Sequence, residues 1–517
     1  MIDAGTLARA VAAAHELVSA QPGVREAEVF ASANGVLLSR LNYSSHIPCN
    51  GVEEPKSTET LGLGIQVALD SPDGVLLGFG AEPSDLSPAG AERAFAKARR
   101  AAVRDPEFVS LPRPGAERRA LFDYHDPRLM TVGDEDLVEA GWKVLRGALG
   151  AFLASSKLAA LVPTEADLAR LGLIGGGDVT ILQERMAIAS THLPGVQTDE
   201  STLMTSGITA MVETRDAKGS GWSTGTRLHE FTDEAGVDAA QAAVAAVGGV
   251  RVPSGDYTVV FGPQPVTDLL SNLVLPACHA SSFYAAATPF AGRLGQSVAA
   301  SQLSLTDHGA LPGLMGSKGI TCEGLPTGRT ELIRDGRLVG LLTTWYDAQR
   351  LLHDPAAREK LGVDPADAAA ALVARNGFRY TGMGGRAFDT QPGAAASNVL
   401  VEAAAPLGLD ELLARVRDGL YVGRIWYTYP INGLRAGAFT CTVVGDSFIV
   451  RDGRIAEPLA ANVIRINDDV TRVLRDIVGV GKRPRGTLVW AADEVVYAPE
   501  IAVRGVHVDA IAHAMED

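Results

Sequence analysis

The chain has 517 residues, more than one ordinary domain holds, so two or three domains are expected. Its 46% hydrophobic and 21% charged residues are ordinary for a soluble globular protein. The net charge is −15 and no basic cluster is present. This argues against binding to nucleic acid or to anionic membranes, because both need clustered Lys and Arg.

Further features of the sequence predict a cytoplasmic protein. Residues 1–5 offer no basic region or long apolar core, so we expect no signal peptide. The uncharged segment 269–292 contains two prolines and several polar residues, and so fails as a membrane span. The four cysteines are far apart and form no CxxC, which is typical of a reducing compartment: Cys49, Cys278, Cys322 and Cys441.

Residues 1–105 predict an N-terminal subdomain of helices and strands. Apolar residues at helical spacing, with Asp3 as the cap, predict a helix over roughly 4–20. A hairpin is predicted to turn at Ala33-Asn34, and a second pair of strands follows; the four strands are 26–32, 35–41, 61–69 and 74–80. Ser87-Pro88 then begins a second helix.

Residues 106–250 predict a middle region of helices and strands. Prolines, among them Pro106, Pro112 and Pro114, and little periodicity make residues 104–133 a predicted linker. A long helix at roughly 134–158 is followed by short strands between 177 and 226, and then by a helix at roughly 233–248.

Residues 251–517 predict a C-terminal domain dominated by antiparallel strands, with helices near 264–275 and 365–375. The expected fold class is therefore α+β, with an N-terminal sheet-and-helix region ahead of this mostly β domain.

Two segments of the C-terminal domain carry motifs in a fixed order. A strand at 256–261 leads into a helix that begins Pro263-Gln264-Pro265-Val266 and continues to Leu269-Leu270. Later, Glu323-Gly324-Leu325-Pro326 precedes Arg329-Thr330 and a hairpin that ends at Gly340. This order resembles the TldD/PmbA (TldD/TldE) family of heterodimeric metalloproteases, and the resemblance covers most of residues 24–510.

The catalytic subunits of that family carry HExxxH on this helix. In such a motif two histidines hold zinc and the glutamate acts as general base on the bound water. The present chain has no HExxxH. The pairs His15-Glu16 and His229-Glu230 have no second histidine in reach, and residues 485–490 lack the family's cysteine ligand.

The chain is therefore similar to the PmbA/TldE subunit, and the resemblance implies its cofactors and partners. We expect no catalytic residue, no metal and no cofactor in this chain. A TldD-like subunit that bears HExxxH would supply the zinc, and the heterodimer would enclose a chamber for unfolded or extended peptides. The implied activities are maturation of peptide precursors and degradation of small proteins.

Cys278-His279 is the sharpest candidate for chemistry in this chain itself. A cysteine beside a histidine suggests a thiolate nucleophile. Neighbours on a helix point about 100° apart, however, so we favour a buried thiol and a structural histidine. Ser282 and Tyr284, on the same segment, are further candidates for contact with a substrate or partner.

Trp426, Tyr427 and Tyr429 form an aromatic cluster ahead of Asn432-Gly433. We favour packing in the core followed by a turn. The alternative is a surface for a partner or a peptide, since aromatic residues anchor interfaces.

Two other functions stay open at this point. The chain could be a homodimeric peptide-binding or scaffold protein with no protease activity. It could instead be a metal-independent hydrolase that uses Cys278, Ser281 or Ser282.

Overall fold

One seven-stranded antiparallel sheet is the framework of the N-terminal half. The structure is a computed structural model that describes residues 2–41, 51–382, 384–489 and 492–511. Across the sheet the strand order is β4-β3-β2-β1-β5-β6-β7. In chain order the strands are β1 Val24–Leu41, β2 Lys56–Ser71, β3 Gly74–Pro83, β4 Val103–Arg104, β5 Leu173–Ser190, β6 Gln197–Val212 and β7 Ala217–Gly225.

The predicted hairpin at Ala33-Asn34 is wrong. Both residues lie inside β1, a single strand of 18 residues that pairs with β2 on one side and β5 on the other. Asn34 is a common turn residue, but here it is buried and its side-chain amide donates to the carbonyls of Gly384 (3.3 Å) and Arg386 (2.8 Å). Tertiary hydrogen bonds have overridden the local turn preference.

The strands predicted as short between 177 and 226 are also long, since β5 has 18 residues and β6 has 16. Pairing of β1 with β5 joins residues on both sides of position 105. The regions 1–105 and 106–250 thus contribute to the same sheet.

Helices cover one face of this sheet, and the C-terminal half covers part of the other. Odd-numbered β1 residues such as Val29 and Ala31 pack with α1 and α2, whereas Phe30 packs with Ile320 and Phe378. Because successive side chains of a strand point to opposite faces, β1 is buried on both. The helices are α1 Ala4–Ser19, α2 Pro88–Ala101, α3 Asp134–Leu153, α4 Ser156–Ala159 and α5 Glu234–Ala245.

The C-terminal half contains a nine-stranded sheet, a six-stranded sheet and a two-stranded ribbon, mostly antiparallel. Its strands are β8 Gly255–Phe261, β9 Ser304–His308, β10 Arg329–Arg334, β11 Arg337–Leu338, β12 Gly377–Phe378, β13 Gly393–Ala394, β14 Asn398–Glu402, β15 Gly419–Val422, β16 Arg424–Pro430, β17 Ala438–Gly445, β18 Phe448–Arg451, β19 Arg454–Pro458, β20 Ile464–Asp469, β21 Ile477–Val480, β22 Arg485–Thr487, β23 Val495–Ala498 and β24 Ile501–Ala510.

The α+β fold class is thereby confirmed. Strand β16 lies at one edge of the nine-stranded sheet. The strand order is β16-β17-β20-β24-β8-β15-β18-β19, and β21 pairs with β24. The C-terminal helices are α6 Pro263–Leu269, α7 Leu275–Ala277, α8 Ala280–Tyr284, α9 Trp345–His353, α10 Ala357–Leu361, α11 Pro365–Ala368, α12 Leu409–Val416 and α13 Val470–Arg475. Within the described ranges, none of the helices has the length and apolar character needed to cross a membrane.

Candidate functional site

The helix that follows β8 lies where the resemblance puts the zinc motif. It begins after Gly262, with Pro263 in its first turn, where a missing amide hydrogen costs no hydrogen bond. A π-helical turn, Leu270–Val274, separates α6 from α7. Pro276 accounts for this wide turn, because it cannot donate to the carbonyl one turn earlier and its ring crowds that carbonyl.

A polar stripe runs along this helix at intervals of four residues: Gln264, Asp268 and Asn272. The Gln264 amide donates to one Asp268 oxygen and the Asn272 amide to the other, both at 3.2 Å. Burial raises the pKa of the Asp268 carboxyl to about 6, although these two hydrogen bonds favour the charged form. The stripe is therefore a satisfied amide–carboxyl chain.

Gln264 also binds the edge strand β16. Its side-chain oxygen accepts the amide hydrogen of Ile425 at 3.0 Å, and its amide donates to the Ile425 carbonyl at 3.3 Å. A glutamine side chain thus takes the place of a neighbouring strand at this residue. The helix and the sheet edge form one unit.

The aromatic cluster lies on β16, mostly in contact with solvent. Tyr427 is 68% exposed and Tyr429 is 53% exposed, so the core-packing interpretation is wrong for these two residues. Trp426 is half-buried and meets the Tyr427 ring edge-on at 6.2 Å between centroids. Exposed aromatic side chains on an edge strand are typical of a surface that another chain covers.

The backbone of Tyr427 is unusual for its residue type. Its φ is 56°, at an irregularity in the pairing of β16 with β17 between Trp426 and Tyr429. A bulky residue in this left-handed region costs about 1–2 kcal/mol. The irregularity turns the tyrosine outward.

Arg424, at the start of β16, connects this edge to the N-terminal sheet. Its guanidinium donates to the hydroxyls of Thr209 (3.1 Å) on β6 and Ser220 on β7. It lies 5.8 Å from the ring centroids of both Trp222 and Trp426. The aromatic edge therefore lies at the junction of the two halves of the protein.

Cys278 and His279 lie apart from this surface, in the C-terminal core. Cys278 is fully buried and burial raises the pKa of its thiol to about 12, while burial lowers the pKa of His279 to about 4. Leu342 donates to the Cys278 carbonyl (2.9 Å), and its own carbonyl accepts from Ala280 (2.9 Å). An enclosed neutral thiol of this kind is not a ready nucleophile at neutral pH.

Ser282 and Tyr284 also have structural partners. The Ser282 hydroxyl donates to the Pro276 carbonyl at 2.8 Å. The Tyr284 hydroxyl donates to Glu107, and this bond raises the pKa of the phenol. Cationic groups of Arg350 and Lys360 lie 4.2 and 4.1 Å from the Tyr284 ring centroid. Tyr284 thus joins the 104–133 segment to the C-terminal helices.

The residues present do not fit a zinc site. No histidine lies between Pro263 and Ala277, and the helix offers one carboxylate among amides. Across the parts of the chain that are described, no group of three or more His, Cys, Asp or Glu could hold a metal ion. Zinc in proteins takes three or four such ligands.

A buried ionic network, which the sequence did not predict, joins the two halves. Arg386 is fully buried; it donates to Asp199 at 2.8 Å and lies 3.3 Å from Glu184. Lys318 also pairs with Glu184, and Arg119 with Asp199 at 2.7 Å.

The pKa of Glu184 reflects these cations. Burial alone would raise it, but the charges of Lys318 and Arg386 outweigh burial and lower it to about 2. The only sequence signal was charged residues inside apolar strands, together with Arg386 after the glycine-rich loop 382–385.

Known proteins resemble this chain in the sequence of the C-terminal domain and in the overall fold. Residues 254–510 match the family model described as PmbA/TldA metallopeptidase C-terminal domain. The crystal structure of TldE from Thermococcus kodakarensis superposes with a TM-score of 0.73 at 18% identity, covering 96% of this chain and 100% of that one. At this identity the likeness shows the fold.

Two metalloproteases are related to this chain in sequence. One from Methanothermobacter thermautotrophicus is 24% identical over 44% of this chain and 43% of its own length. One from Synechocystis, slr0863, is 27% identical over 36% of this chain and 34% of its own length. The matched segments span less than half of either relative.

The fold is that of a two-part α+β protein, and over the whole chain it is similar to TldE. Residues 254–510, about half of the chain, form a C-terminal domain of the PmbA/TldD family.

Proposed function

We propose that this chain is the metal-free, TldE-like subunit of a heterodimeric zinc metalloprotease that acts on unfolded or extended peptides in the cytoplasm. One observation carries the proposal: the helix that lacks metal ligands is bonded through Gln264 to an edge strand whose aromatic residues are exposed. The partner would carry HExxxH and the zinc ion, and the substrates would be peptide precursors or small labile proteins.

The edge strand β16 suits recognition of an extended chain. An added strand is held by main-chain hydrogen bonds, which do not depend on its sequence, while neighbouring side chains set the preference. Gln264 occupies the backbone groups of Ile425. An added strand would therefore use the segment beyond Ile425, beside the exposed rings of Tyr427 and Tyr429.

A chain in extended form can approach such an edge, whereas a folded protein has already paired its own strands. Selection for unfolded peptides would follow from this geometry without sequence-specific pockets. In this proposal the chain binds and orients the peptide, and its partner supplies the zinc-bound water that attacks the peptide bond.

The first test is affinity purification of the tagged chain from its native host, followed by mass spectrometry. We expect a stoichiometric partner that bears HExxxH, and peptidase activity that a chelator abolishes. A homodimer without such a partner would contradict the proposal and favour the scaffold function. Peptidase activity of the chain alone that resists chelators would favour the hydrolase.

A paired variant tests the role of the edge strand. Tyr427→Ser with Tyr429→Ser should reduce recovery of the partner or of bound peptide by at least tenfold. Leu153→Ser is the matched control, because Leu153 is 60% exposed at the end of α3. Equal recovery with both variants would show that β16 is not the binding edge.

A further inference from the structure

A cavity of about 200 Å³ lies between the N-terminal sheet and the C-terminal half. It is separate from the aromatic edge strand. Residues of both halves line it. Gln391 is the exposed residue among them, so the mouth of the cavity lies beside Gln391. The lining residues used below are Glu28, Gln66, Glu323, Trp345, Tyr346 and Gln391.

The charges in the cavity wall do not balance. The carboxylate of Glu28 pairs with Arg379 at 2.7 Å, and both side chains are buried. Glu323 is 3% exposed, and its two oxygens share the single amide hydrogen of Trp345, at 2.9 and 3.1 Å. In the described part of the chain no Lys, Arg or His lies within salt-bridge distance of Glu323, or of Asp105, a half-buried residue that also lines the cavity. The wall therefore contains two carboxyl groups that have no cationic partner.

The other ionisable groups near Glu323 do not supply the missing charge. Glu28 and Asp347 raise the pKa of Glu323, and Arg379, already paired with Glu28, lowers it by less. Asp347 has its own partner, Arg350, at 2.8 Å. Burial is the largest effect, and the pKa of Glu323 is raised to about 8.

A buried carboxylate without a counter-charge costs several kcal/mol, so it takes up a proton or a cation. A carboxylate accepts up to about four hydrogen bonds. Glu323 receives its hydrogen bonds from one amide, so free acceptor positions remain beside the cavity.

The remaining wall suits an organic cation better than a metal ion. Two aromatic side chains are fixed in place: the Trp345 ring nitrogen donates to the Ser110 carbonyl, and the Tyr346 hydroxyl donates to Asp105, each at 3.0 Å. Aromatic faces attract ammonium groups and pack against alkyl chains. The wall offers no group of three metal-binding side chains within the described residues.

We propose that this cavity binds a small primary ammonium ion, with the charged nitrogen on Glu323 and the alkyl chain against Trp345. The three ammonium hydrogens would reach the free acceptor positions of Glu323 and the side-chain oxygens of Gln66 and Gln391. The same chemistry is found in a free alkylamine and in a lysine side chain that enters past Gln391. This binding needs neither a partner chain nor protease activity.

Calorimetric titration of the purified full chain with n-butylammonium chloride tests the proposal. We expect saturable binding of n-butylammonium. The uncharged analogue n-butanol should bind at least tenfold more weakly. Titration with the peptide acetyl-Ala-Lys-Ala-amide identifies the source: tighter binding than n-butylammonium assigns a lysine side chain, and weaker binding assigns a free amine.

Two variants and one control sharpen the test. Glu323→Gln keeps the shape of the side chain and should weaken the binding of n-butylammonium at least tenfold. Glu402→Gln, an exposed glutamate, should change nothing. Gln391→Trp should block the mouth while leaving Glu323 intact, so the proposal stays testable if the first variant folds poorly.

Proton release gives a second measurement that a structural role of Glu323 would not affect. Below about pH 8 the ammonium ion displaces the proton of Glu323, so binding releases protons, which titrations in buffers of different ionisation enthalpy detect. Equal affinity for n-butanol, unchanged affinity in both variants, or displacement of the amine by millimolar Mg²⁺ would overturn the proposal.

Discussion

Gln264 on helix α6 completes the hydrogen bonding of Ile425 on edge strand β16, through one accepted and one donated bond. Removal of the glutamine side chain would leave an amide hydrogen and a carbonyl buried and unpaired. We therefore predict that Gln264→Leu lowers the free energy of unfolding by about 1–3 kcal/mol. Urea denaturation measures this, and Gln241→Leu, at an exposed position of α5, should stay within about 0.5 kcal/mol of wild type.

Lys318 and Glu184 form a buried ion pair between the two halves. Lys318→Met should lower the free energy of unfolding by about 3–5 kcal/mol, since it leaves Glu184 with a reduced counter-charge in the interior. The exposed pair of Arg358 and Asp364, 3.5 Å apart, supplies the control: Arg358→Met should cost less than about 1 kcal/mol. Equal losses in the two variants would contradict the importance of burial here.

The same pair has a defined pH dependence. The pKa of Glu184 is lowered from 4.5 to about 2 in the folded chain. The unfolded chain thus binds more protons between these values, and stability is lost as the pH falls through them. The difference in unfolding free energy between wild type and Glu184→Gln should shrink over this window, and a constant difference would argue against the shift.

The pH dependence of stability that arises from Glu323 should have the opposite sign. Its pKa is raised from 4.5 to about 8, so the folded chain binds more protons over this range and stability falls as the pH rises. The free energy of unfolding of Glu323→Gln should therefore rise relative to that of wild type between pH 5 and pH 8, by up to about 1.4 kcal/mol per pH unit. Denaturation curves at both pH values, without added amine, measure the gain. An unchanged difference would show that Glu323 is charged throughout.

Cys278, Cys322 and Cys441 are free and buried. In a Cys49→Ser background we expect none of these three thiols to react with Ellman's reagent in the native chain, and all three to react in 6 M guanidinium chloride. Cys278→Ala measures the contribution of Cys278 alone. Rapid native labelling of Cys278 would contradict its enclosure and revive the hydrolase hypothesis.

Sequence patterns were sufficient for elements with strong local signals. Asp3 and Ser87 cap α1 and α2 as expected, and their side chains accept the amide hydrogens of Thr6 and Gly90. The motifs around Pro263 and Glu323 indicated the family, which the match over residues 254–510 confirms.

The sequence alone was also sufficient to show that the HExxxH zinc motif is absent. HExxxH is a local pattern, because its ligands lie within two turns of one helix, so its absence is visible in the chain without a structure.

Only the tertiary structure decided the rest. Asn34 became a buried contact instead of a turn because its partners, Gly384 and Arg386, lie about 350 residues away. The exposure of Tyr427 depends on β16 being an edge strand, which its own sequence cannot specify. Likewise, Glu28 and Glu323 line one cavity because the chain folds its two halves together. Local propensity acts over a few residues, whereas burial and counter-charges are set by residues distant in the chain.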